Sequence, residues 1–174
     1  MDRQKNTPKE NIFLIGFMGC GKSTISAYLS QAYGMNRLEM DEEIEKTERM
    51  SIPDIFARKG EEYFREKETE LLMSFRNRKG TVVSCGGGTA MRECNVQEMK
   101  RHGKVIWLFA KPETVYERVK NTHNRPLLEG NMNVEYIRSL MEKREPAYAH
   151  AADRVVETDG RSAEEICQEI IREL

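Results

Sequence analysis

The stretch Gly16-Phe17-Met18-Gly19-Cys20-Gly21-Lys22-Ser23 fits G-x-x-x-x-G-K-[ST], the pattern of a loop that cradles phosphate. Its flanks agree with that reading. Ile12-Phe13-Leu14-Ile15 is a short apolar run of the kind buried on both faces in a parallel sheet. After Ser23, Ile25, Tyr28, Leu29 and Ala32 recur at helical spacing, and Gly34 is placed to end the helix. The glycines let the backbone approach a polyphosphate with no Cβ in the way, so that N–H groups and the positive helix end face the anion. Lys22 adds a point charge toward the β- and γ-phosphates, and the Ser23 hydroxyl suits Mg²⁺. A nucleoside triphosphate is the expected ligand, held by Gly19, Cys20, Gly21, Lys22, Ser23 and Thr24.

Bulk properties narrow the setting. A chain of 174 residues is long enough for one domain with a proper core, and 39% apolar with 33% charged residues suits a soluble protein. A net charge of −1 leaves no electrostatic case for nucleic acid or membrane, and no apolar run approaches a span. Residues 1–10 are expected to be a disordered polar tail, with a single phosphate-loop domain over 11–174. Cys20, Cys85, Cys94 and Cys167 are scattered, as expected for reduced thiols in the cytoplasm.

Further strands are expected at Arg37–Asp41, Thr81–Cys85, Lys104–Phe109 and Arg154–Glu157, alternating with helices. The helices run over Glu42–Met50, from the Ser51 cap to Gly60, and over Glu61–Asn77, Arg92–Arg101, Pro112–Val119 and Asn133 to about Tyr148, where Pro146 should disturb the last turns. Ser162 and Glu165 form a capping box for the final helix. Such alternation means an α/β fold, a five-stranded parallel sheet with helices on both faces, and ligands beyond the strands' carboxyl ends.

A phosphate loop does not by itself choose a reaction. Switch GTPases carry a second strand ending in an Mg²⁺-directing Asp and an N-K-x-D base reader; neither appears, so the metal's acidic support must come from Glu39 or Asp41. Both alternate with Leu38 and Met40 and so should point to one side of the sheet. Gly86-Gly87-Gly88 follows a buried strand and leaves room for a ligand against backbone. Arg65 and Glu68 are one helical turn apart and can pair, leaving Arg65 to face an anion. Arg125, in the polar stretch before Pro126, could close over phosphates, and Arg144 lies near the end of the long helix.

Taken together these residues resemble shikimate kinases, from about Asn11 to the C-terminus. The matching elements are the phosphate loop, Glu39-Met40-Asp41, Gly60-Glu61-Glu62-Tyr63-Phe64-Arg65-Glu66-Lys67-Glu68 (against G-E-x-x-F-R-x-x-E), the triple glycine, Arg125-Pro126-Leu127-Leu128 and Lys143-Arg144-Glu145-Pro146-Ala147-Tyr148. The resemblance implies transfer of the ATP γ-phosphoryl group to the 3-hydroxyl of shikimate, and a P-loop NTPase sheet of order 2-3-1-4-5. It implies Asp41 as base and hydroxyl ligand, Arg65 and Arg144 on the carboxylate, and Gly86, Gly87 and Gly88 lining the ring. It further implies Lys22 and Arg125 on the transferred group, Ser23 and Glu39 at the metal, and Arg118 and Arg161 at the nucleotide. Residues 42–77 would form the substrate-binding region and 121–131 a lid, in a monomer. Glu39 departs from the family's usual Asp, which puts metal affinity in question. Rival expectations are a kinase for gluconate-like or nucleoside monophosphate acceptors, or an idle ATP-binding module.

Overall fold

A computed structural model describes residues 7–122, 128 and 130–174. Five strands, β1 (Asn11–Ile15), β2 (Asn36–Glu39), β3 (Thr81–Ser84), β4 (Gly103–Phe109) and β5 (Arg154–Glu157), form one parallel sheet of order β2-β3-β1-β4-β5. The helices are α1 (Lys22–Tyr33), α2 (Met40–Glu48), α3 (Ile52–Lys59), α4 (Glu61–Met73), α5 (Glu93–His102), α6 (Pro112–Val119), α7 (Val134–Ala151) and α8 (Ala163–Arg172). Short 3₁₀ turns follow α4 and the triple glycine.

β1 is the middle strand, and all five of its residues are buried, which is why its sequence is an unbroken apolar run after Asn11. Each such side chain contributes roughly 1.5–3 kcal/mol of burial. Phe13 meets Phe75 edge to face, with ring centres 5.4 Å apart. At the opposite end from the loop, the buried Asn11 amide donates to the carbonyls of Arg78 and His102 while its Oδ1 accepts from the Thr81 N–H. One polar side chain thereby ties together the starts of three strands. Lys9, expected in the tail, accepts the Gly80 N–H through its carbonyl.

Three local readings change. The strand at Arg37 ends at Glu39 rather than Asp41, because Met40 is wholly buried as the first residue of α2 and Asp41, Glu42 and Glu43 occupy a first helical turn, where the helix dipole favours acids. The strand alternation expected to align Glu39 with Asp41 therefore stops at Glu39. The α-helix from Glu61 closes at Met73 and tightens into a 3₁₀ turn to Asn77. Finally, α7 passes through Pro146 and continues to Ala151. Pro146 and Glu142, the residue whose carbonyl loses its partner, are both exposed, so water can satisfy that carbonyl.

Register decides what sits together. Glu39 lies level with Ser84, and Ser84 with Leu14. The ends of β2, β3 and β1 therefore emerge side by side, delivering the acids, the triple glycine and the phosphate loop to one edge.

Candidate active site

The phosphate loop joins β1 to α1. A Cβ on Gly16 would lie 2.4 Å from the Leu108 carbonyl oxygen, and its φ is +139°, so only glycine fits there. Among the described residues no side chain caps α1 and no acid occupies its first turn, and Ser23 and Thr24 are exposed. Its leading N–H groups and positive end are thus open to an anion. α8 is the contrast, its first turn closed by the reciprocal Ser162–Glu165 box. Lys22 Nζ donates to the Gly16 carbonyl at 2.7 Å and the Phe17 carbonyl at 3.1 Å, which holds the ammonium over the loop. From α6, Arg118 donates to the Gly19 carbonyl at 3.0 Å, placing a guanidinium beside the same loop.

Beside this anion site stands Glu39. Its Oε2 accepts from the Ser23 hydroxyl at 2.8 Å and its Oε1 from Ser26 at 2.6 Å. Arg37 Nε and Nη2 also donate to Oε1 at 3.1 and 3.0 Å. Burial alone would push the Glu39 carboxyl up, but hydrogen bonds from Ser26, Ser23, Ser84 and Arg37 outweigh it and hold the group below the usual range. A hydroxyl and a carboxylate oxygen in contact beside a phosphate-binding helix end suit a hard divalent cation.

The second half of the site is organised on the triple glycine. A Cβ on Gly86 would lie 2.8 Å from Glu68 Oε1 and 3.2 Å from Asp41 Oδ1; one on Gly87, 3.0 Å from Arg144 Nη1; one on Gly88, 2.7 Å from Arg65 Nη1. Three consecutive residues lack side chains because four charged ones converge on them. Glu68 is fully buried, bonding Arg65 Nη1 through Oε2 at 2.9 Å and the Thr89 hydroxyl through Oε1 at 2.7 Å. A buried carboxylate needs both partners. Arg65 also meets the exposed Glu61 at 3.1 Å. Arg144 stacks its guanidinium over Phe17, 5.6 Å from the ring centre, and four residues on, Tyr148 donates to the Gly87 carbonyl at 2.6 Å. Arg65, Gly88 and Arg144 line an open hollow of about 380 Å³, with Met91 and the Glu62–Arg92 pair on its wall.

Asp41 is reachable by water at the edge of this arrangement, yet protein crowds its sides. That crowding, with the like charge of Glu68, pushes its carboxyl above the usual range, against the opposing pull of Lys22 and Arg65. The side chains at positions 41, 65 and 144 thus face one floor, and the influence of Lys22 on Asp41 ties that floor to the phosphate loop. Arg161 is engaged with the Glu157 and Glu165 carbonyls and with Glu169, and its backbone N–H meets the carbonyl of Thr158, whose hydroxyl accepts from Arg118. Arg125, and most of the stretch expected as a lid, lie outside the described residues.

Sequence reasoning did not single out Thr89, Ser26 or Arg37, and it quoted Tyr148 within a matching element without giving it a role. Arg37 could have been found, since residues two apart on a strand share a face with Glu39, and Tyr148 is one helical turn from Arg144. Nothing local marks Thr89.

Known proteins resemble this chain along nearly its whole length. A family model described as shikimate kinase matches residues 18–174. The shikimate kinase of Persephonella marina is 45% identical over 161 residues, 92% of this chain and 96% of the relative. That of Dehalococcoides mccartyi is 41% identical over 162 residues, covering 93% of this chain and 92% of its own length. Among solved structures, the shikimate kinase from Acinetobacter baumannii in complex with shikimate superposes with a TM-score of 0.86 at 34% identity, covering 97% of this chain and 93% of that one.

Proposed function

The chain belongs to the shikimate kinase family, and from that premise we propose that it transfers the γ-phosphoryl group of ATP to the 3-hydroxyl of shikimate through the residues just described. The observation that carries the reading is the convergence of Asp41, Arg65 and Arg144 on Gly86–Gly88, next to an uncapped helix end bearing Lys22. The α1 N-terminus with Gly19, Cys20, Gly21, Ser23 and Thr24 receives the phosphates, Arg118 lies along the nucleotide, and Arg161 is its outermost contact. Lys22 steadies the transferred group, a role the family resemblance also assigns to Arg125. Ser23 and Glu39 would hold Mg²⁺, which supplies positive charge against the phosphates.

On the acceptor side, Arg65 and Arg144 grip the carboxylate while the glycines make room for the ring. Asp41 orients the hydroxyl and takes its proton. Its raised pKa suits a base that must also release that proton. Phosphoryl transfer needs little covalent chemistry from protein, so positioning and charge neutralisation carry the acceleration. Selectivity follows from the two guanidiniums, because an acceptor lacking the carboxylate leaves their charge unpaired. We read 42–77 as the acceptor-binding region and the protein as a cytoplasmic monomer that handles small molecules only. ADP release, measured with shikimate, gluconate, nucleoside monophosphates or no acceptor, tests this. Release with shikimate alone is expected. Release with another acceptor, or nucleotide binding without turnover on any, would overturn it.

A further inference from the structure

The two oxygens of Glu39 are unequally engaged. Oε1 takes donors from Ser26, which is wholly buried, and from two nitrogens of Arg37, whereas Oε2 faces the Ser23 hydroxyl at the helix end. Arg37 Nε also donates to the Ser26 hydroxyl at 3.1 Å, and Nη2 reaches the Ser23 carbonyl at 3.5 Å. The guanidinium thus lies against both residues assigned to the metal. Yet it is not needed to hold the carboxylate, because Ser26 and Ser23 bond one oxygen each.

Building on the kinase reading, we propose that Arg37 is a built-in counter-ion of Glu39 that loosens the site's grip on the divalent cation accompanying the nucleotide. A cation and a guanidinium draw on the same carboxylate charge, and each lowers what the other gains. The guanidinium also repels a cation at Ser23. Glutamate is long enough to reach back to Arg37 along its own strand face while leaving Oε2 toward the helix end. The outcome is a metal that arrives and leaves with the nucleotide rather than residing in the protein. Arg37 lies on the edge strand β2 with its side chain 40% exposed, so solvent screens the effect and it is modest. A positioning residue of this kind acts through Glu39 and touches no reactant.

The test needs no turnover. The affinity for ADP is measured calorimetrically with Mg²⁺ and with EDTA, and the ratio of the two gives the metal's contribution. Arg37→Met, which keeps the aliphatic stem, should raise that ratio about three- to tenfold, the worth of one screened charge at short range. Arg37→Lys, which keeps the charge, should stay near wild type. In a Glu39→Gln background, Arg37→Met should change the ratio by less than about twofold, which removes any direct pull of Arg37 on the nucleotide. A ratio that falls or does not move with Arg37→Met, or that rises equally without the Glu39 charge, overturns the proposal and leaves the kinase reading intact. Loss of ADP binding in the unmodified protein would instead sink the phosphate-site assignment and this inference with it.

Discussion

Gly88→Ala separates the acceptor site from the fold with a single methyl group. Gly88 has φ −99° and ψ −3°, a conformation alanine adopts without strain. Its Cβ, however, would lie 2.7, 2.8 and 2.9 Å from Nη1, Nη2 and Cζ of Arg65. Carbon contacts settle at roughly 3.5–4.0 Å, so the guanidinium must retreat by about 1 Å. Arg65 is held by Glu68 at 2.9 Å, and a charge-assisted bond of that kind is worth roughly 1.5–3 kcal/mol. Losing it, or losing the equivalent alignment with the acceptor, predicts a fall in kcat/KM for shikimate of about 10- to 100-fold. The ATP side should be nearly unchanged. Thermal stability should fall modestly, because alanine narrows the unfolded ensemble by roughly 0.4–1 kcal/mol and offsets only part of the lost contact. Steady-state assays at saturating ATP and then at saturating shikimate, with a melting curve, give all three quantities. In an Arg65→Ala background the added methyl should cost almost nothing more. Unchanged kcat/KM for shikimate, or an equal loss toward ATP, would refute the geometry.

Arg144→Ala should raise the shikimate KM by about 10-fold or more while leaving ADP affinity within about twofold, since its partners are Phe17 and the Gly87 floor rather than the α1 amides; parallel losses would contradict that. Asp41→Asn should lower kcat by roughly 10²-fold, and near-normal turnover would remove Asp41 as the base. In the unmodified protein the acid limb of kcat/KM should lie above the free aspartate value of about 3.9, because crowding and then Glu68 raise the Asp41 pKa and activity falls as pH drops through it. Glu68→Gln removes that like charge, so the limb should move to lower pH while the shikimate KM rises as Arg65 loosens; a limb that stays put rules out the coupling.

Much of the molecule was legible because its signals are short-range. A phosphate loop is eight contiguous residues, and the backbone of that segment, followed by a helix, already presents the amides. The Ser162–Glu165 box likewise closes within one turn, and the buried run of β1 reflects the two covered faces of a central strand. The end of β2 was harder. Met40 continues the strand pattern as well as it begins a helix, and its burial as the first residue of α2 decided between them. The helix through Pro146 was misjudged because the local rule ignores whether the site of the lost bond is exposed, and here Glu142 and Pro146 both are.

By itself the sequence determined that a polyphosphate is bound, that a parallel sheet carries the loop, and which charged residues are candidates, since each statement concerns neighbours along one strand or helix. Only the tertiary structure decided which of those charges meet. Arg65, Glu68, Asp41 and Arg144 come from α2, α4 and α7, and they share a floor because strand register brings the ends of β1, β2 and β3 level and three missing side chains leave the space. Thr89 beneath Glu68 was decided in the same way: distance along the chain carries no direction in space, and packing supplies it.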